Sequence, residues 1–210
     1  MSDRGPPALR VALDTEELRE RGPDACIGAP PRVLEIGFGR AELLLELATG
    51  NPDSRYLGVE VSRKRVEKAA RHAARRGLPN LRLVNAPAEY LLERVLPPDC
   101  FAECWINFPD PWPKKRHFRR RLFQPPFLVL LARVLEPGAP LHAATDHMGY
   151  AEWIADVLGG SPDFENPNAP TRWTDRSPPR RETSYEAEWR AQGRSIAYFE
   201  YRRRATLQGP

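Results

Sequence analysis

Cysteine and methionine are scarce in this chain of 210 residues, which has three of the former and two of the latter. Cys26, Cys100 and Cys104 do not show the spacing of metal ligands. We therefore expect reduced core thiols, no metal site and a cytoplasmic protein.

Long apolar runs are also missing. None approaches the ~18–20 residues needed to cross a bilayer. Residues 1–7, MSDRGPP, lack the apolar core of a signal peptide. We expect neither a leader nor a membrane contact.

An acidic excess is absent too. The chain carries 32 Lys+Arg against 28 Asp+Glu, a formal net charge of +4, and its pI is about 9.1. Arginine is concentrated in residues 114–121 and 172–204. This distribution favours a polyanionic partner, although composition alone does not choose between RNA, DNA and a membrane surface.

What is present is a regular alternation of strand and helix patterns after residue 31. It predicts a doubly wound, mostly parallel α/β sheet with helices on both faces. We treat 31–210 as the domain and 1–30 as an N-terminal extension that packs on it or orders with substrate. Predicted strands cover 32–36, 55–61, 81–84, 101–107 and 141–145, with an antiparallel strand at 195–202; predicted helices cover 42–49, 62–76, 88–96, 122–135 and 149–158.

Three segments lack a clear periodicity. Residues 10–18 fit either a strand or a short helix, and residues 22–31 read as a linker. Residues 160–182 are rich in Pro, Asn, Asp and Arg and predict a long loop.

The turn after the first predicted strand has the form of a cofactor site. Gly37 and Gly39 permit a tight turn and close approach of a ligand to the backbone. Glu60 ends the second predicted strand, where a carboxylate can bind both hydroxyls of a ribose. Glu35 precedes the glycines and can reach a ligand amine, whereas Ala41 replaces the third glycine of a dinucleotide site. These features favour S-adenosylmethionine (SAM) over a dinucleotide.

A stiff polar loop follows the apolar strand at 101–106. Pro109, Pro111 and Pro113 fix φ and remove backbone donors, so neither helix nor sheet continues. Asp110 lies between two of these prolines, and a run of cations begins at Lys114. A rigid strand-end loop that carries one acid and then a basic run indicates a reaction site beside a phosphate-binding surface. The residues expected to hold phosphates are Arg116, Arg119, Arg120 and Arg121.

These motifs together resemble the tRNA (guanine-N7)-methyltransferase family of the bacterial single-subunit type. The similar segments are EIGFG at 35–39, GVEV at 58–61, NFPDPWPKKRH at 107–117, ATD at 144–146 and TSYE at 183–186. The resemblance implies a class I SAM-dependent methyltransferase fold with seven strands, the last ones antiparallel. It also implies methyl transfer to N7 of guanine 46 in the variable loop of tRNA.

The resemblance further implies roles for individual residues. Asp110 would be the catalytic residue and would also contact SAM. The other SAM contacts would be Glu35, Gly37, Gly39 and Glu60, with Asn85 or Ala86 near the adenine, where the family usually has Asp or a similar polar residue. The nucleotide substrate would be bound by Lys114, His117, Arg120, Asp146, Thr183, Tyr185 and Glu186.

Guanine N7 has a lone pair and no proton, so the proposed reaction needs alignment and charge stabilisation rather than a general base. Asp110 could stabilise positive charge as it moves from sulfur to the base. Asp146 could accept hydrogen bonds from guanine N1–H and the 2-amino group. We expect a monomer that uses SAM and tRNA.

Two alternatives remain open at this point. An exocyclic-amine methyltransferase, or another RNA methyltransferase, would use a related motif, because residues 107–110 resemble an Asn-Pro-Pro-aromatic sequence. In that motif the aromatic stacks on the base, whereas this chain has Asp110 there. A non-catalytic RNA-binding protein on the same fold would bind tRNA without SAM.

Overall fold

The computed structural model of the protein describes residues 11–206. Strands and helices alternate along most of this length. The strands are β1 (Ala12–Leu13), β2 (Arg32–Ile36), β3 (Arg55–Val59), β4 (Leu81–Val84), β5 (Glu103–Asn107), β6 (Pro140–Thr145), β7 (Phe164–Glu165) and β8 (Ala197–Arg203). The helices are α1 (Thr15–Cys26), α2 (Glu42–Gly50), α3 (Arg63–Arg75), α4 (Ala88–Arg94), α5 (Pro125–Val134), α6 (Met148–Gly159) and α7 (Ser184–Ala191), with a 3-10 helix at Lys115–Arg120.

The strands form one eight-stranded sheet in the order β1-β4-β3-β2-β5-β6-β8-β7. The pairs among β1 to β6 are parallel, whereas β8 is antiparallel to β6 and β7 is antiparallel to β8. The predicted fold class is therefore confirmed. The eighth strand, beyond the seven that the resemblance implied, is β1 at the edge beside β4. The order of strands reverses between β2 and β5, which is where open α/β sheets bind ligands.

Helices cover both faces of the sheet. Val33 and Tyr56 join the apolar cluster that contains α2 and α3 residues. Leu34 and Leu57 join the cluster on the other face with residues of α4, α5 and α6. Successive side chains of a strand point to opposite faces, so a strand covered on both sides reads as a continuous apolar run.

The described part of the N-terminal extension belongs to the same core. Ala12 pairs with Leu83 of β4, and Leu18 of α1 is fully buried. Asp14 caps α1, and Gly22, with φ of 74°, marks a kink before the helix continues to Cys26. The linker predicted for 22–31 is thus wrong for 22–26. The segment packs on the domain, and the boundary at residue 30 stays a prediction.

Two helices differ from expectation. α5 begins at Pro125 rather than residue 122, with prolines in the first-turn positions that lack a hydrogen-bond requirement. α7 was not predicted, although Thr183 and Glu186 form its capping box. No helix within residues 11–206 is long and apolar enough to span a bilayer.

Candidate active site

A cavity of about 350 Å³ opens at the carboxyl ends of β2 and β5. It lies at the reversal of strand order, where the sheet leaves room between the crossover connections. Its walls come from the turn after β2, the loop after β5 and the segment before α7. The lining residues are Glu35, Gly37, Phe38, Gly39, Arg40, Glu42, Leu43, Arg65, Asn107, Phe108, Asp110, Thr183 and Tyr185.

The turn after β2 needs its glycines. Gly37 and Gly39 have φ of 72° and 53°, a region that L side chains rarely adopt. Ala41, the residue in place of a third glycine, also has a positive φ of 59° and is fully buried at the start of α2. A buried position with this φ suits glycine, and here it is occupied by the small side chain of alanine.

Glu60 is buried immediately after β3 and is held by backbone amides. Its carboxylate accepts hydrogen bonds from the N–H groups of Ser62 at 2.9 Å and Gly39 at 3.1 Å. Asn85 follows β4 and donates its side-chain amide to the Glu60 carbonyl at 2.8 Å, beside the buried Ala86. These strand ends form one flank of the site next to the glycine turn.

Glu35 is a buried carboxyl group with one oxygen that has no hydrogen-bond partner within residues 11–206. Burial raises its pKa to about 8, while the charge of Arg180 and a hydrogen bond from the Leu44 backbone lower it in part. Because this group also lines the cavity, a cationic amine placed there would satisfy it.

Asp110 lines the same cavity from the loop after β5. Two non-glycine residues near it, Phe108 and Trp112, have positive φ of 51° and 42°. Arg121 holds the loop, since its Nε donates to the Pro111 carbonyl at 2.9 Å and its guanidinium lies 3.6 Å from the centre of the Phe118 ring. The backbone on either side of the exposed Asp110 is thus held in one conformation.

The basic residues that follow this loop differ in their exposure and in their contacts. Lys114 and Arg120 are exposed, and the Arg120 guanidinium lies 5.0 Å from the Trp112 ring centre. The half-buried His117 packs edge-on against Trp112, with ring centres 5.6 Å apart. We expected Arg121 to hold phosphate together with its neighbours. That expectation is wrong, because Arg121 is buried beneath aromatic rings.

Residues 180–186, here called the strap, close the cavity from the α7 side. Thr183 and Tyr185 line it, and the Tyr185 ring lies 4.6 Å from that of Phe108. Ser184 is held by Glu42 of α2, which accepts from its backbone N–H at 2.7 Å and its hydroxyl at 2.5 Å.

Glu186 faces the interior rather than the cavity. It is fully buried and accepts hydrogen bonds from Arg180 at 2.7 and 2.8 Å, from Tyr198 at 2.8 Å and from Thr183. Burial alone would raise its pKa, but the bonds from Arg180 and Thr183 outweigh that effect and hold the pKa at about 2. The strap is therefore anchored by a buried ion pair.

Asp146 follows β6, next to β5 in the sheet, and forms an ion pair with Arg194 at 3.1 Å. The Arg194 guanidinium lies 3.7 Å from the ring centre of Trp189. Trp189 in turn meets Tyr185, with ring centres 5.2 Å apart. Asp146 is thus linked to the strap by an ion pair, a cation–π contact and an edge-on aromatic contact.

The structure brings together only some of the residues suggested by the sequence. Glu35, Gly37, Gly39, Asp110, Thr183 and Tyr185 share one cavity. Glu60, Asn85 and Ala86 lie at adjacent strand ends. The residues outside the cavity wall are Lys114, His117, Arg120 and Asp146. Glu186, at the end of the strap, is buried on its inner side. The sequence analysis missed Arg65, which lines the cavity, and the buried Arg180. Because the chain is rich in arginine, the residue type alone does not mark either position as part of the site.

Comparison with known proteins adds independent findings. A family model described as "Putative methyltransferase" matches residues 29–199. A protein named tRNA (guanine-N(7)-)-methyltransferase from Halorhodospira halophila is 44% identical over 181 residues, covering 86% of this chain and 78% of that protein. A protein of the same name from Alkalilimnicola ehrlichii is 41% identical over 174 residues, covering 83% and 73%.

The fold is also shared with solved structures. The 16S rRNA (adenine(1408)-N(1))-methyltransferase of Catenulisporales acidiphilia, crystallised as a variant with the cosubstrate SAM, superposes with a TM-score of 0.56 at 21% identity. The match covers 94% of each chain. At this identity the likeness concerns the architecture alone.

Proposed function

Because this chain belongs to the tRNA (guanine-N(7)-)-methyltransferase family, we propose that it transfers the methyl group of SAM to N7 of guanine 46 in the variable loop of tRNA. The chain is a SAM-dependent methyltransferase, and the position of the base is the finer part of the proposal. The observation that carries it is one cavity lined by Glu35, Gly37, Gly39 and Asp110.

The residues present fit SAM. The unpartnered oxygen of Glu35 suits the amino group of the methionine portion. Gly37 and Gly39 allow close approach along the backbone, and Glu60 would bind the ribose hydroxyls. Asn85 or the backbone of Ala86 would contact the adenine. When bound, SAM supplies an electrophilic methyl group on a sulfonium centre.

Asp110 would provide a fixed negative charge where positive charge develops on the base. N7 attacks through its own lone pair, so no side chain has to remove a proton. A carboxylate whose backbone is already held in one conformation loses little freedom on reaching the reactive arrangement, which favours its electrostatic effect. We therefore assign Asp110 to charge stabilisation and to alignment.

The base would be recognised by groups around the cavity mouth. Asp146 would accept from guanine N1–H and the 2-amino group, which adenine does not offer. Tyr185 presents an aromatic ring for stacking, and Thr183 lies beside it. Lys114, His117 and Arg120 would contact phosphate or ribose groups. We propose that Glu186, being buried, positions the strap instead of touching the substrate.

We further propose a cytoplasmic monomer that needs no metal ion. The buried, unpaired thiols of Cys26, Cys100 and Cys104 support a reducing compartment. The exocyclic-amine alternative is less well supported, because a carboxylate at position 110 serves a cationic product better than a neutral one.

The test is to identify the product nucleoside. Unmodified tRNA is incubated with the protein and methyl-labelled SAM, digested to nucleosides and analysed by mass spectrometry and chromatography. The expected product is N7-methylguanosine, and borohydride and aniline cleavage of the intact tRNA should map it to position 46. A label in N2-methylguanosine, or in another loop, would overturn the proposal.

A further inference from the structure

A second cleft, of about 830 Å³, runs between α2 and α3 and up to the strap. We call it the α2–α3 groove. It meets the cavity described above, because Arg40, Glu42 and Thr183 line both. The remaining wall includes Leu45, Glu46, Thr49, Gly50, Lys68, His72, Arg76, Arg181, Glu182, Ser184 and Ala187.

One side of the groove is a basic stripe on α3. Lys68, His72 and Arg76 are four residues apart, so they share one helix face. At a rise of about 1.5 Å per residue the stripe is about 12 Å long. Arg40 stands at the end where the groove opens into the cavity, and Arg181 lies on the strap side.

The carboxylates of the groove all have polar partners, but only one of them is paired with a cation. Glu42 accepts two hydrogen bonds from Ser184, and Glu46 accepts one from the Arg181 backbone at 3.1 Å. Glu182 forms an ion pair with Arg190 at 2.6 Å. Arg190 therefore neutralises Glu182, whereas Glu42 and Glu46 accept from neutral donors and keep their negative charge.

The cations of the groove consequently keep their charge unpaired. Arg40, Lys68, Arg76 and Arg181 form no side-chain ion pair within residues 11–206. Elsewhere on α3 an acid does reach a neighbouring base, since Glu67 pairs with Arg63 at 2.8 Å. These four cations outnumber the two uncompensated carboxylates, Glu42 and Glu46, so the groove carries a net positive charge that attracts a polyanion.

From this arrangement we propose that the α2–α3 groove binds the sugar-phosphate backbone of the RNA substrate at a distance from the methylated base. The inference rests on the proposed function, because continuity with the cavity makes the substrate RNA itself the fitting occupant. It adds a contact surface on the far side of the glycine turn from the basic 3-10 helix. Binding on two surfaces would orient a folded RNA as well as hold it.

Helix α3 offers a matched control for the test. The variant Lys68→Ala/Arg76→Ala removes two cations from the groove, and Arg71→Ala/Arg75→Ala removes two exposed cations of the adjoining stripe on the same helix segment, which do not line the groove. Both pairs change the net charge equally, and alanine favours the helix in each case. Affinity for an unmodified tRNA transcript is measured by filter binding between 50 and 200 mM salt.

We expect the groove variant to bind tRNA about tenfold more weakly at the lower salt. Its log K against log salt slope should be shallower by about 1.4–1.8, as expected for two lost phosphate contacts. The control variant should lose less than about twofold. Equal losses in both variants, which would reflect net charge alone, or no loss in either, would overturn the proposal.

The readouts keep this inference apart from the proposed function. SAM affinity, measured by calorimetry, should be the same in the wild type and both variants. The methylated nucleoside is identified separately in the wild type. A product other than N7-methylguanosine would overturn the proposed function, whereas the comparison of the two α3 variants would still decide whether RNA occupies the groove.

Discussion

Asp110 occupies a loop with very little conformational freedom. Pro109 and Pro111 flank it, and the positive φ angles of Phe108 and Trp112 cost about 1–3 kcal/mol each, which surrounding contacts must offset. The buried Arg121 supplies such contacts through the Pro111 carbonyl. Strain of this kind is found where a side chain has to be held in one place, and here it places a carboxylate at the cavity wall.

Replacing Asp110 with Asn keeps the shape of the side chain and removes its charge. We expect the rate of methyl transfer in a single turnover to fall by about 10²-fold or more, because a preorganised charge is lost from the site. The dissociation constant for tRNA should change by less than about twofold, since the basic surfaces remain. Wild-type turnover in this variant would remove Asp110 from the mechanism.

Glu35 makes cofactor binding depend on pH. With its pKa raised to about 8, the carboxyl group is mostly protonated at pH 6.5–7, and it must ionise to accept a cationic amine. We therefore expect SAM affinity to rise with pH up to about 8, where the ligand amine loses its own proton, with close to one proton released per SAM bound below about pH 7. Calorimetry in buffers of different ionisation enthalpy counts that proton.

The matched variant is Glu35→Gln, which should bind SAM more weakly and release no proton. The stability of the protein changes with pH in the opposite direction to its SAM affinity, because Glu35 holds its proton more tightly in the folded cofactor-free protein than in the unfolded chain. The cofactor-free protein should therefore lose stability as pH rises from about 4.5 to about 8. Binding without proton release by the wild type would contradict this assignment.

The sequence of the strap is compatible with two interpretations, substrate binding and helix capping. Thr183 and Glu186 resemble a substrate-binding pair by family, yet a Thr followed three residues later by Glu is also the signature of a capping box. In the structure both residues cap α7, and Glu186 pairs with Arg180 under the strap. Thr183 still lines the cavity, so the same turn of helix shapes the site while Glu186 anchors it.

Glu186→Gln should destabilise the protein by about 3–5 kcal/mol, because it leaves the buried Arg180 charge without its partner. The control is Glu182→Gln, which removes an exposed ion pair with Arg190 and should cost less than about 1 kcal/mol. Urea unfolding at pH 7 measures both. Since the pKa of Glu186 is held at about 2, its stabilising effect should be complete above about pH 4.5 and be lost as pH falls toward 2.

Equal stability of the two variants at pH 7 would show that the ion pair does not anchor the strap. A wild-type protein whose urea midpoint stays constant from pH 5 down to pH 2.5 would contradict the low pKa of Glu186.

The longer strands were predicted from the sequence more accurately than the shortest ones. Strands β2 to β6 are buried on both faces and read as apolar runs, so they were predicted nearly within their bounds. The two-residue strands β1 and β7 are too short for any periodicity. Helix α5 was placed too early because Leu122 and the fully buried Phe123 lie in the preceding loop, although they look like the first apolar positions of the helix.

Across the whole molecule, the sheet decides which distant residues meet. Parallel topology predicts that the turn after β2 and the loop after β5 share an edge, so the contact between the regions of Glu35 and Asp110 was within reach of the sequence. The position of Thr183 at the cavity could not be predicted from the topology of the sheet, because it depends on how the segment after β7 crosses the surface. Family resemblance, rather than pattern, brought that residue into consideration.

The same holds for the distribution of charge. The arginine-rich segment 172–204 predicted a polyanion-binding region, but several of its members are structural. Arg172 pairs with Glu152 and Asp156, and Arg203 is buried beside Asp99. The sequence shows how many charged residues this segment has. Which of them form ion pairs or become buried depends on the fold.

The most direct test of N7 methylation uses two tRNA transcripts that differ at one atom. One carries guanosine at position 46, and the other carries 7-deazaguanosine there, which keeps O6, N1–H and the 2-amino group but has C–H in place of N7. Methyl incorporation from labelled SAM is measured for both at the same tRNA concentration. We predict stoichiometric incorporation into the guanosine transcript and none into the 7-deaza transcript; equal incorporation into both would contradict attack by N7.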